Sequence, residues 1–311
     1  MKKENASLRK LVSRLLKEHY DIDAIGLVFH PIGEESFAYK VKAKGGEKYF
    51  VKLSRNLTIS PEVLGKLFER PNSLPFVIPL VRTTHGRFSV EIREGILTVY
   101  PYIEGKSAPE NNSEFDESLV KRILEIMATI HNLTDSVKDL DLPVESFEEN
   151  FTELLKEIET LAKLSDDRKV VGLFQKEHKM LKQAIERHIE SGESFRKESI
   201  PFVLTHGDIT GLNIMITSDG VKLLDWEGVM FAPAERDLNF LFSNKYFPQK
   251  FRFYADRTGK TKINRGLINY YRERWALESI LDNFKKLLTE ESKFIDRKEA
   301  IQEILEYMKE I

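Results

Sequence analysis

The spacing of apolar residues changes character once along this chain of 311 residues, and that change limits the folds open to it. From Ala24 to Tyr100 the pattern is β-like, in short apolar runs separated by turns such as Gly45-Gly46 and His85-Gly86. Strands are predicted near 24–31, 37–43, 48–53, 77–82, 87–93 and 96–100. One helix interrupts them. Ser60 can cap it, Pro61 fits its first position, and Leu64, Leu67 and Phe68 give it a buried face. An amphipathic helix over 5–20 opens the chain, with Leu8, Leu11, Val12, Leu15 and Leu16 at helical spacing. After Gly105 the spacing is helical over about 114–133, 147–164, 170–191, 264–288 and 296–310, with a loop-like charged stretch at Ser191–Ser199. The expected fold class is α+β, with a β-rich N-terminal lobe over 1–101 and a mainly helical C-terminal lobe over 102–311.

Charge and composition remove several functions. The 48 basic and 50 acidic side chains nearly cancel, so nothing in the net charge draws nucleic acid or an anionic membrane. There is no cysteine, which excludes disulfides, thiolate metal sites and cysteine nucleophiles. No uncharged run approaches the roughly 18 residues that span a bilayer. The basic N-terminus lacks an apolar signal region, so a cytoplasmic location is expected. The sequence does not set the oligomeric state.

Within the helical half, two apolar runs, Phe202-Val203-Leu204 and Ile214-Met215-Ile216, flank the polar loop Thr205–Asn213. A Ser218-Asp219-Gly220 turn then leads into a third strand that ends at Leu224-Asp225. Such a hairpin brings Asn213 and Asp225 together, with Asp208 facing the same cleft. Oxygen donors of this kind suit a hard cation such as Mg²⁺, while a separate carboxylate accepts a proton from an attacking hydroxyl. Taken singly, Asp208 and Asp225 read as turn and cap residues. The full ordered pattern points to phosphoryl transfer.

His206-Gly207-Asp208, an asparagine five residues after the aspartate, and then Leu223-Leu224-Asp225-Trp226-Glu227 resemble the aminoglycoside phosphotransferase and choline kinase superfamily, relatives of protein kinases. Asp225-Trp226-Glu227 and Ala234-Glu235-Arg236-Asp237-Leu238 are most similar to the spectinomycin phosphotransferase branch. The resemblance implies a bilobal, protein-kinase-like fold, with Asp208 as the base and Asn213 and Asp225 as Mg²⁺ ligands. Thr210 departs from the pattern, which often has His or Ser there.

In Tyr49-Phe50-Val51-Lys52-Leu53, Lys52 leaves its strand on one face. On its own it reads as a solvent-facing charge; in the family it resembles the lysine that neutralises nucleotide phosphate. Its expected partner is Glu62 on the following helix, with Glu69 as competitor. Gly33-Glu34-Glu35-Ser36 reads as a hairpin turn, which in a kinase-like lobe would lie over the phosphates and place Ser36 beside them. Leu97–Gly105 resembles the hinge, where Pro101 argues against a continued strand and Val99 and Ile103 would face the base. Pro101 and Ile103 are accordingly candidate nucleotide contacts. ATP and GTP are not distinguished.

Only seven residues separate Asp225 from Pro233, too few for a peptide-docking segment, which favours a small hydroxyl acceptor. Glu235-Arg236-Asp237 reads as an internal ion-pair cluster bracing the loop. Glu278 and Asp282 share a helix face and, with Glu227 or Glu235, either attract a cationic amino-sugar or form a solvated surface. His131 reads as structural, His206 as a loop brace, and His178 and His188 as surface residues. The expectation is an ATP- and Mg-dependent phosphotransferase for an aminoglycoside or aminocyclitol such as spectinomycin. The alternatives are a kinase for an amino alcohol or sugar, and an inactive nucleotide-binding scaffold.

Overall fold

The computed structural model describes residues 6–30, 36–55, 57–70, 74–289, 292 and 295–311. In chain order the elements are α1 (Ala6–Tyr20), β1 (Ala24–His30), β2 (Ser36–Ala43), β3 (Lys48–Ser54), α2 (Pro61–Phe68), β4 (Ser89–Ile92), β5 (Gly95–Pro101) and β6 (Lys106–Ser107). Then follow α3 (Glu117–Asn132), α4 (Phe151–Leu164), α5 (Arg168–Arg196), β7 (Val203–Thr205), β8 (Ile214–Thr217), β9 (Gly220–Leu223) and β10 (Met230–Ala232). The chain closes with α6 (Glu235–Phe242), α7 (Phe247–Thr258), α8 (Arg265–Leu288) and α9 (Arg297–Tyr307). Two compact units result: Lys2–Val144 with Val203–Thr261, and Glu145–Phe202 with Lys262–Ile311.

In the first unit an antiparallel sheet runs in the order β1-β2-β3-β5-β4. Alternation sorts its faces: Val51, Leu53, Leu97 and Val99 pack against Val12, Leu15 and Leu16 of α1. Lys52, paired with Thr98, and Phe50, paired with Tyr100, take the other face. Residues 77–82, expected as a strand, form none. Val81 donates one hydrogen bond to the Val99 carbonyl at 2.8 Å, but Pro75 and Pro79 have no N–H to extend a ladder. Pro101, expected to break the sheet, instead ends β5 opposite Tyr49, and Tyr102 N donates to the Lys48 carbonyl at 3.0 Å. A proline at a strand terminus sacrifices no ladder bond.

The same unit holds two small sheets, β6-β8-β9 and β10-β7. Helices α6 and α7 went unread in the sequence; both are short and polar, and α7 starts with Pro248 in its first turn.

The second unit is helical, with Ile158, Phe174, Leu181, Leu277, Ile280, Phe284 and Ile304 in its core. The charged stretch after Ser191, expected as a loop, continues α5 to Arg196. Phe195 anchors it there against Phe147 and Tyr270.

Candidate active site

The hairpin β8-β9 pairs Ile214 with Leu223, and Leu224 N donates to the Asn213 carbonyl at 2.8 Å. Asn213 and Asp225 therefore flank the same end of the hairpin. Asn213 Nδ2 donates to Asp208 Oδ2 at 2.6 Å and to the Asp208 carbonyl at 3.2 Å. Asp208 Oδ1 is buried and receives no hydrogen bond from the described residues. Burial pushes the Asp208 carboxyl above the usual carboxylate range, and the like charge of Asp225 adds to it. Asp225 sits in the left-handed region at φ 55°, which an aspartate tolerates better than most residues.

Lys52 Nζ lies 3.5 Å from Asp225 Oδ1 and 2.5 Å from Glu227 Oε1. Burial alone would lower the Lys52 ammonium, but the two carboxylates outweigh it and hold it above its ordinary value. Here the helix glutamates expected beside Lys52 are elsewhere. Glu62 accepts from Phe88 N at 2.8 Å and from Arg87 Nε at 3.2 Å, and Glu69 pairs with Arg82 at 2.5 Å. Its position in the first turn of α2 fixes Glu62 in this local role. Glu227, read as a candidate acceptor contact, is instead the partner of Lys52. If Lys52 meets nucleotide phosphate, as the resemblance implies, Glu227→Gln should raise the nucleotide KM by roughly three- to tenfold, since a charge-assisted contact that positions the lysine goes. Glu62→Gln should leave it within about twofold. Initial rates against nucleotide concentration decide between them, and the reverse ranking would return the role to Glu62.

Other expected residues are placed as follows. Ser36 is buried opposite Ser54 at the start of β2, while Gly33, Glu34 and Glu35 lie outside the described residues. Pro101 is exposed and Ile103 half-buried. Val99, expected to face the base, is fully buried in the core. Glu235 is buried and pairs with Lys260 at 2.9 Å, so its carboxylate is not presented to an acceptor. Glu278 pairs with Arg274 at 3.0 Å and Asp282 with Lys286, each one turn along α8.

Several residues that build the site gave little sequence signal. Tyr100 shares the Lys52 face of the sheet, and burial pushes its phenol up to about 12. The period-two pattern of β5 could have shown it. Asn112 donates to the Ile209 carbonyl at 2.8 Å and the Phe240 carbonyl at 3.1 Å, tying the Thr205–Asn213 loop to α6. Gly211 approaches Pro109 so closely that a Cβ would lie 1.7 Å from its carbonyl oxygen. Gly207, at φ +88°, leaves the space filled by the Arg236 guanidinium.

Beneath the loop, Asp237 is fully buried, as the ion-pair reading of its cluster anticipated. Its Oδ1 accepts from Gly207 N at 2.7 Å, and its Oδ2 accepts from His206 N and faces His131 Nε2, each at 3.0 Å. His131 Nδ1 lies 2.8 Å from the Tyr254 hydroxyl. His206 Nε2 lies 3.0 Å from the Leu224 carbonyl, which can only accept, while Nδ1 receives Asp208 N at 3.2 Å. These contacts require a neutral ring, and burial lowers its pKa accordingly.

Unfolded chains protonate this imidazole near pH 6.5 and the folded protein does not. Stability attributable to His206 is therefore present above that pH and falls as pH drops below it, by about 1.4 kcal/mol per pH unit per proton. In His206→Asn the slope of stability against pH between about 6.5 and 5 should be shallower by up to one proton. Denaturant titrations across that range, giving parallel slopes, would refute the assignment.

Among the described residues, no helix is long and apolar enough to cross a membrane. A model of the phosphotransferase enzyme family matches residues 28–276. Protein StrN of Streptomyces griseus is 26% identical over 280 residues, which cover 82% of this chain and 83% of that protein. A spectinomycin phosphotransferase in complex with ADP and spectinomycin superposes with a TM-score of 0.75 at 19% identity, over 97% of this chain and 96% of the other. A choline kinase from Streptococcus pneumoniae gives 0.58 at 17% identity over 98% of each chain, and an amicoumacin kinase in complex with AMP-PNP and Ca²⁺ gives 0.64 at 15% over 97% and 92%. These structures share the fold, so the α+β, protein-kinase-like expectation is borne out.

Proposed function

The chain belongs to the phosphotransferase enzyme family, and from that premise we propose that it moves the γ-phosphate of ATP to a hydroxyl of an aminoglycoside or aminocyclitol such as spectinomycin. The observation that carries this reading is the junction of Asp208, Asn213 and Asp225 at one hairpin end, with Lys52 3.5 Å from Asp225. Nucleotide-bound relatives, and the spectinomycin held by one of them, support the choice of donor and acceptor.

Asp208 is the proposed base. Its Oδ1 is buried and meets no donor in full hydrogen-bond geometry, although the Thr210 hydroxyl beside the carboxyl favours its charged form, and an incoming hydroxyl would supply a donor. Its raised proton affinity favours taking that proton, and Asn213 fixes the carboxylate's orientation through Oδ2. Because Asn213 uses its amide nitrogen on Asp208, its oxygen remains for a cation. Asn213 and Asp225 would hold Mg²⁺, which when bound neutralises charge on the transferring phosphate. Lys52 would release a carboxylate contact to meet nucleotide phosphate, with residues 1–101 providing the nucleotide-holding part.

Mg-dependent ATP turnover across aminoglycosides, aminocyclitols, choline and sugars tests this. Stimulation by an aminocyclitol or aminoglycoside is expected. Stimulation only by choline or a sugar would move the acceptor to the amino-alcohol or sugar class. Nucleotide binding with no turnover on any acceptor would leave a scaffold.

A further inference from the structure

The turn that carries Asp225 and Glu227 is held at both ends, and the two holds come from different elements. Upstream, His206 Nε2 lies 3.0 Å from the Leu224 carbonyl. Downstream, Arg236 Nη1 donates to the Gly228 carbonyl and to Thr205 Oγ1, each at 3.0 Å. Thr205 Oγ1 in turn donates to the Met230 carbonyl at 3.0 Å, within the β7-β10 pairing of Thr205 with Met230. One guanidinium on α6 therefore joins the strand that enters the Asp208 loop to the residue that leaves the Asp225 turn. Between the two held ends lie the proposed metal ligand Asp225 and the Lys52 partner Glu227.

The loop is shaped around this side chain. A Cβ built on Gly207 would lie 2.0 Å from Arg236 Nη1 and 2.2 Å from its Cζ, so the guanidinium fills the volume that any side chain at 207 would need. Asp237, next along α6, accepts from Gly207 N at 2.7 Å. The first turn of α6 thus grips the loop by its amides and ties it onward to Gly228. A hold on Gly228 matters because Asp225 lies at φ 55°, a backbone conformation that a non-glycine residue keeps only where its surroundings impose it. The Arg236 acceptors are a hydroxyl and a carbonyl, so what the planar guanidinium contributes here is direction.

We propose that Arg236 is a positioning residue: by pinning Gly228 to Thr205 it keeps the Asp225 turn in register with the Asp208 loop. Its consequence for turnover rests on the phosphotransfer reading, whereas the clamp itself does not.

Arg236→Met keeps the aliphatic stem and removes the donors. The side chain is half-buried, so the exchange strands no charge in the core and the variant should fold. Amide hydrogen exchange read by mass spectrometry follows residues 225–230 without needing turnover. Protection there should fall at least about tenfold, while β3 and β5 keep theirs. On the acceptor that wild type uses, kcat should fall about 10- to 100-fold, a larger factor than any rise in nucleotide KM. A lysine ammonium reaches less far and cannot hold both oxygens, so Arg236→Lys should lie between wild type and Arg236→Met in both measurements. It carries the test alone if Arg236→Met does not fold, and wild-type protection in it then overturns the clamp. Unchanged protection of 225–230 in Arg236→Met, or protection lost evenly along the chain, overturns the clamp as well. Local loss of protection with wild-type kcat overturns the positioning role. Local loss of protection in a protein whose wild type turns over no acceptor supports the clamp and overturns the phosphotransfer reading instead.

Discussion

Asp208→Asn should leave the protein folded and able to bind nucleotide, while phosphoryl transfer falls by roughly 10²- to 10⁴-fold. The carboxamide matches the carboxylate in size and can still face Asn213, so the β8-β9 hairpin has no reason to move. What disappears is a basic oxygen. Oδ1 is the buried atom left without a donor, and after the substitution the same volume holds either an amide nitrogen or a far weaker base. On the proposed reading nucleotide phosphate is met by Lys52, whose ion pairs with Asp225 and Glu227 the isosteric substitution leaves in place, so nucleotide affinity should stay within about threefold. Single-turnover rates and calorimetric nucleotide binding on one preparation separate the two effects. Wild-type turnover would remove Asp208 from the chemistry. A parallel collapse of nucleotide binding would mean that the loop, rather than the proton transfer, had been damaged.

Much of this site was legible because its groups sit on regular elements or at tight spacing. Asn213 and Asp225 flank the same end of the β8-β9 hairpin, and the Ser218-Asp219-Gly220 turn announces that hairpin. Lys52 was readable from period two alone, since Val51 and Leu53 had to face α1. Its partner was not. Sequence order suggested the next helix, whereas Lys52 meets Glu227 from 175 residues away, and no local pattern encodes such a contact. Glu62 was misassigned because a first-turn glutamate has a local use, here the Phe88 amide. The loop supports Asn112 and Tyr254 were invisible for the same reason, each acting on groups far away in sequence. Buried His188 went unread because its helix is rich in charge, and its place in the interior comes from the Phe151 and Tyr270 rings, both distant in sequence.

Asp237→Ala should be the most destabilising single change in this region, by about 3 kcal/mol or more. One carboxylate serves three donors at once: Gly207 N, His206 N and the His131 ring. The two histidines are buried with it, so water cannot replace the lost acceptor without opening the loop. Asp237→Asn keeps one oxygen but turns an NH₂ toward a second donor, and should fall between wild type and alanine. Because Gly207 and His206 directly precede Asp208, both variants should also lower kcat more than they change nucleotide affinity. The pH dependence identifies the species responsible. Burial opposes ionisation of Asp237, but the hydrogen bonds it accepts from the His131 ring and the His206 amide hold the carboxyl below its ordinary value. Its contribution is thus complete above the unfolded value of 3.8 and lost as pH falls through the depressed folded value. The stability gap between wild type and Asp237→Ala should consequently stay constant over roughly pH 5 to 8 and close only in strong acid. Chemical denaturation at several pH values measures it, and a gap below about 0.5 kcal/mol at neutral pH would show that the loop is braced by something other than this carboxylate.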